Sequence, residues 1–145
     1  MKITKLLLLT ATLLTLATPA LAELNGWGAG LQIFDGEFGL QGRKDFWLGG
    51  DISQITGQAN IIFASDVVFA LDVDYHFVIR SDSGTSRFYP LAGIDFKFNG
   101  DGSDFGFNLG GGANFMMTET LAAFVELKYV FSDWDGFGVG LGVYF

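Results

Sequence analysis

Asp72, Asp74 and His76 stand at alternate positions of one apolar stretch, and Asp95 with Lys97 and Glu126 with Lys128 repeat that spacing in two later stretches. In an extended chain, residues two apart point the same way, so each set shares a face. Carboxylates held together away from water share protons and support acid and base work; carboxylates interleaved with lysines form ion pairs instead. His76 is the only histidine, and the chain has no cysteine. A metal site built on His76 and Asp74 lacks a visible third ligand, and thiolate chemistry is excluded. Gly110-Gly111-Gly112 would cradle a phosphate only if a Lys-Ser or Lys-Thr pair and a helix followed, and neither does. Glycines that let an aromatic side chain lie across the strand are the better reading. A net charge of −8 argues against nucleic acid as a partner.

The segments that carry these residues alternate with period two. Val67, Phe69, Leu71, Val73, Tyr75, Phe77 and Ile79 oppose Val68, Ala70, Asp72, Asp74, His76, Val78 and Arg80. The same contrast recurs from Arg87 to Asn99, from Phe105 to Phe115, from Leu121 to Phe131 and from Gly136 to Phe145. Sixteen Phe exclude a disordered chain, and 21 Gly spread through apolar segments exclude a helix bundle. A run of about 14 alternating residues is twice a usual soluble strand, whereas a tilted membrane-spanning strand needs about 9 to 11. In each run the large apolar groups share one face, and the charged and small residues share the other. A soluble barrel of the lipocalin kind has the opposite arrangement. The apolar faces are therefore expected to meet lipid, and the polar faces to line a narrow lumen.

Residues 1–22 read as a secretory signal: Lys2 and Lys5, an apolar run from Leu6 to Leu16, then Ala20-Leu21-Ala22. Removing them leaves residues 23–145 with a net charge of −10. Trp27, Ala29, Leu31 and Ile33 alternate with Gly26, Gly28, Gly30 and Gln32, and Asp35-Gly36 is a two-residue hairpin signal. Phe38 and Leu40 oppose Gly39, Gln41 and Arg43 on a second strand. A third falls between Asp51 and Ala64, blurred from Ser53 to Gln58. The total is an all-β, eight-stranded antiparallel up-and-down transmembrane β-barrel, at about 15 residues per strand and connection.

Arg87-Phe88-Tyr89-Pro90-Leu91-Ala92-Gly93, the run Phe105 to Phe115, and the ending Val139-Gly140-Leu141-Gly142-Val143-Tyr144-Phe145 resemble the small OmpA-like outer-membrane β-barrel proteins of Gram-negative bacteria. The resemblance implies residence in the outer membrane, amid its lipid and lipopolysaccharide. It also implies that Tyr144 and Phe145 form the signal read by the barrel-assembly machinery. No peptidoglycan-binding domain is expected after Phe145, and the connections are short for adhesion. With both termini periplasmic, outer connections fall near Asp35-Gly36, Ala64 to Asp66, Gly100 to Ser103 and Ser132 to Asp135. Periplasmic turns fall near Arg43 to Asp51, Ser81 to Ser86 and Thr118-Glu119. A hairpin centred on Ser83-Gly84 pairs Asp72 with Asp95; a slip of two pairs Asp74 with Asp95 and Asp72 with Lys97.

Asp72, Asp74, His76, Asp95, Lys97, Glu126 and Lys128 are thus expected to form a lumen network that fills an eight-stranded barrel. Lipid A deacylases and palmitoyl transferases of this architecture use His, Ser and a carboxylate. Here Val78 stands where the deacylase pattern has Ser, so His76 reads as structural and no catalytic residue is assigned. Three functions are open: a structural barrel for envelope integrity with a closed polar lumen, a narrow channel for very small solutes or protons, and a lipid A-modifying enzyme. No cofactor is expected. The outer rim nevertheless concentrates acids, among them Asp35, Asp101, Asp104, Asp133 and Asp135. These either favour turns or recruit Ca²⁺ or Mg²⁺ that bridges to lipopolysaccharide phosphates. Deleting Phe145 should lower assembly in cells far more than it lowers the stability of refolded protein, measured by surface yield and by urea titration; equal losses would refute a signalling role.

Overall fold

Period-two segments of this length can satisfy their backbone in lipid only by closing into a ring of strands, because an unpaired N–H or C=O there costs several kcal/mol. The computed structural model describes residues 26–145; the expected signal segment 1–22 lies outside them. Eight strands follow in order: β1 (Trp27–Phe34), β2 (Glu37–Trp47), β3 (Ser53–Phe63), β4 (Val67–Phe77, resumed over Ile79–Arg80), β5 (Ser86–Phe98), β6 (Ser103–Met116), β7 (Ala122–Phe131) and β8 (Gly136–Tyr144). Each pairs antiparallel with the next, and β8 pairs with β1 from Gly28↔Tyr144 to Phe34↔Gly138. The ring is closed and has no free edge.

Short turns set the registers. Asp35 (φ 48°) and Gly36 (φ 88°) both adopt positive φ, as a type I′ hairpin requires, and align Phe34 with Glu37. Between β4 and β5, Asp72 pairs with Asp95 and Phe69 with Phe98, so the unslipped register is the one adopted. Phe69, Phe96 and Leu127 are 42%, 42% and 46% exposed on the outer surface, while Asp72, Asp74, His76, Asp95, Lys97, Glu126 and Lys128 are all buried inside. Apolar outside and charged inside is the polarity of a membrane barrel.

Three expectations need correction. Arg43 does not begin a turn: β2 continues to Trp47, the connection spans 48–52, and Arg43 is buried in the lumen. The run from Val67 to Arg80 is not one uninterrupted strand. Val78 leaves the ladder, donates its N–H to the Ile52 carbonyl at 2.8 Å, and buries its side chain against Tyr89 and Leu91. Nor is the inner face only polar and small. Phe34, Ile62 and Val130 pack together toward the outer end, and Ala122, Phe124 and Tyr144 toward the end carrying Gly26 and Phe145. These two apolar clusters flank the charged residues in the middle.

Of the three consecutive glycines, Gly110 and Gly112 face that crowded interior and Gly111 faces outward. Gly112 pairs with Tyr89 on one side and Glu126 on the other. A Cβ there would lie 2.5 Å from the Tyr89 hydroxyl and 2.6 Å from the Val125 carbonyl oxygen. An aromatic ring thus crosses the strand, as the glycine pattern suggested. Outward-facing Gly42 is bare, with nothing within 4 Å of its would-be Cβ. Gly112→Ala should therefore destabilise the barrel by about 1–3 kcal/mol through overpacking, whereas Gly42→Ala should stabilise it by about 0.5–1 kcal/mol through strand propensity. Urea unfolding in lipid vesicles gives both signs.

Candidate functional site

Inward positions of four strands meet at Glu126 of β7. Its Oε2 accepts from Arg43 Nη2 of β2 at 2.8 Å and from the Tyr89 hydroxyl of β5 at 3.0 Å; its Oε1 accepts from Gln58 Nε2 of β3 at 2.9 Å. Alternation places Arg43 beside Gln41 on β2 and Gln58 among Gln54, Thr56 and Asn60 on β3, so these long polar groups meet at the axis. Gln41 Nε2 donates to Gln58 Oε1 at 2.6 Å. A carboxylate with three donors, one a guanidinium, has its charge compensated without water.

Lys128, two residues along β7, completes a second centre. Its Nζ lies 2.6 Å from Asp72 Oδ2, 3.4 Å from Asp74 Oδ2 and 3.2 Å from Gln58 Oε1. Asn60 Nδ2 donates to Asp72 at 2.9 Å, and Asn108 Nδ2 to Asp74 at 2.8 Å. The ammonium therefore reaches across the lumen to β4, which is not its neighbour in the sheet. Lys97 makes a third centre near the outer end. Its Nζ lies 2.9 Å from Asp95 Oδ1, donates to the Trp134 carbonyl at 3.1 Å, and sits 4.5 Å from the Phe34 ring centroid. The residues singled out in the sequence thus lie together inside the ring, as separate centres rather than one row, with Gln58 joining those of Glu126 and Lys128.

His76 is fully buried and stacks on Tyr89, with ring centroids 4.2 Å apart and 7° between planes. Thr56 Oγ1 lies 3.3 Å from its Nδ1 and Glu126 Oε2 3.9 Å from its Nε2. This hydroxyl–imidazole–carboxylate series resembles a nucleophile triad in composition. However, the Thr56 proton goes to Asp45 at 2.8 Å, and His76 Nε2 makes no hydrogen bond. The imidazole has no exposed face. Asp74 turns away from His76 toward Lys128 and Asn108, so the two do not form a metal pair.

Arg43, Gln58, Thr56, Asn60, Tyr89 and Asn108 were missed as site residues. The third strand was the hardest to read because its outward positions include Ser53, Gly57 and Ala59, which give little apolar contrast with Gln54, Thr56 and Gln58. Tyr144 faces inward, on the face its alternation gives it: its hydroxyl donates to Asp45 at 3.1 Å, and the Arg43 guanidinium lies 5.3 Å from its ring. Phe145 is tied to the seam by its N–H on the Trp27 carbonyl at 3.0 Å.

At the outer rim, Asp104 accepts the Trp134 N–H at 2.8 Å, and Asp135 accepts the Tyr129 hydroxyl at 2.6 Å. Asp35 occupies its hairpin turn, and Asp101 and Asp133 lie in separate connections. Among the described residues, no three carboxylate or imidazole groups converge as a metal site would need. Lys97 also reaches this rim through Trp134, so the rim is not purely acidic.

Breaking a buried pair leaves the surviving charge uncompensated. Lys128→Met strands Asp72 and Asp74 and should cost about 3–5 kcal/mol. Lys128→Met combined with Asp72→Asn and Asp74→Asn should recover most of that loss, because no lone charge then remains. Reversible urea unfolding of the two variants in vesicles measures the difference.

No protein-family model matches the chain, and no curated protein sequence matches it. Solved structures do match in shape. The N-terminal β-barrel domain of Pseudomonas aeruginosa OprF superposes with a TM-score of 0.69 at 17% identity, over 81% of this chain and 92% of that one. The Yersinia pestis outer membrane protein Ail, in a phospholipid bilayer nanodisc, gives 0.50 at 13% identity, over 82% and 98%. At those identities the likeness is one of fold. The chain has the eight-stranded antiparallel transmembrane β-barrel fold found in outer-membrane proteins.

Proposed function

We propose that this protein is a structural barrel of the outer membrane whose lumen is closed by its own buried ion pairs, and that it contributes to envelope integrity. The observation that carries this reading is the Glu126 node. Arg43, Tyr89 and Gln58 reach it from three other strands, and Lys128 extends the same web to Asp72 and Asp74, with every one of these side chains buried. Ions entering the lumen would have to displace bonds between charges already paired in low dielectric, at a cost of several kcal/mol. Apolar groups at both ends add a second barrier.

No enzymatic step is assigned, because His76 has neither an exposed edge nor an available hydroxyl nucleophile. The partners in this reading are outer-membrane lipid and lipopolysaccharide around the apolar belt. The rim acids act in it as turn formers and hydrogen-bond acceptors. Planar-bilayer recording tests closure. The refolded wild type should add no steady conductance, and Glu126→Ala, which releases Arg43, Tyr89 and Gln58 together, should produce resolvable openings. A heat-modifiable gel shift verifies that both proteins are folded. Steady wild-type conductance equal to that of Glu126→Ala would establish the narrow-channel reading instead.

A further inference from the structure

The mouth at the end carrying Gly26 and Phe145 contains a cluster that the central network does not use. Arg80 and Arg87 are directly opposed in the short ladder between Ile79–Arg80 and β5. Like charges facing each other across a ladder repel. Both guanidiniums nevertheless lie over one ring, that of Trp47, at 5.7 and 5.6 Å from its centroid. The one acid paired with Arg80 is Asp51, at 3.2 Å, whose side chain is 76% exposed, and such a pair contributes little. Among the described residues, Arg87 has no carboxylate within ion-pair distance.

The neighbour of Arg87 on the next strand is Asn114, which is only 8% exposed; its unpartnered Oδ1 is an acceptor, so its carboxamide can meet an anion only through the Nδ2 hydrogens. Arg87, Asn114, Trp47, Thr85, Thr120 and Tyr144 line a cavity of about 30 Å³ at this mouth. Its walls are rich in donors: a guanidinium, a carboxamide and two threonine hydroxyls. The acidic side chain on its wall is Asp45, whose Oδ1 is already taken by the hydroxyls of Thr56 and Tyr144, and Phe145 lines it too.

We propose that this mouth is an anion site, in which Arg87, supported by Arg80 and Asn114, grips a carboxylate or phosphate group presented from the periplasm. A guanidinium offers a planar fork of donors that matches both groups. The bound anion cancels the repulsion between the two arginines, and Trp47 holds their planes in place meanwhile. A cavity of this size admits the head of such a group, given that one water needs roughly 10–15 Å³. The rest of the ligand stays outside the barrel.

The test is a titration of the refolded full barrel in phosphatidylcholine nanodiscs with inorganic phosphate and then with acetate. It is followed by NMR at the Arg87 Nε–H and the Asn114 side-chain amide. Both signals should shift saturably. Arg87→Gln should abolish the response at Asn114. Arg80→Gln should weaken it roughly tenfold, the effect of losing one charged partner. Lys44→Gln should leave it unchanged, because that ammonium lies over Trp27 and Phe46 instead. Nanodiscs containing phosphatidylglycerol separate the sources. A lipid headgroup in the site shifts Arg87 before any phosphate is added; a site served by soluble molecules leaves Arg87 where it stands in phosphatidylcholine. Either pattern supports an anion site. Absence of a saturable shift in the wild type, or an Asn114 response that survives Arg87→Gln, overturns the proposal.

Discussion

The controlling constraint is that an eight-stranded ring has an interior only wide enough for side chains, while its outer wall lies in hydrocarbon. Charges in the middle of the inner face are therefore buried away from the outer wall. Each must find a partner among the other inner residues. Glu126 shows the consequence: it collects donors from β2, β3 and β5, and so links strands far apart in sequence. Arg43 and Glu126 are 83 residues apart in the chain and 2.8 Å apart in space.

The same constraint explains features that look unrelated. Glycine at 112 is required because Tyr89 must lie flat across the lumen to reach Glu126 and to stack on His76. The aromatic groups Phe34, Phe124 and Tyr144 lie on the inner face, against the general polarity, and each supports a cation. Lys97 sits over Phe34, and Arg43 over both Phe124 and Tyr144. A cation over a ring face is stabilised by about 0.5–2 kcal/mol where water is excluded. The apolar end clusters thus contribute to charge compensation.

The two ends solve the problem differently. At the outer end Lys97 can use a loop carbonyl, that of Trp134, because the connection folds back over the lumen. At the other end Arg80 and Arg87 have solvent nearby and share Trp47 instead of pairing with buried acids. Between them the charges are held by one another and by the amides and hydroxyl of Gln58, Asn60, Asn108 and Tyr89. His76 belongs to this middle layer, where its imidazole stacks on Tyr89 close to a hydroxyl and a carboxylate.

Much of this was legible in the sequence, because period-two alternation is a local property. It determined which side chains face lipid, that the strands number eight, where most turns fall, and that Asp72, Asp74, His76, Asp95, Lys97, Glu126 and Lys128 lie inside. Asp35-Gly36 set its own hairpin for the same reason: two positive-φ residues act on their immediate neighbours. The tertiary structure alone decided which inner residues meet across the axis. Strand tilt and closure carry Lys128 to Asp72 and Asp74 and bring Arg43 to Glu126, and no local spacing encodes those distances. It also decided the role of β3, whose small outward residues hid the polar side chains that bridge the centres. The side on which a residue points follows from its own backbone; the partner it finds there depends on how the whole ring closes.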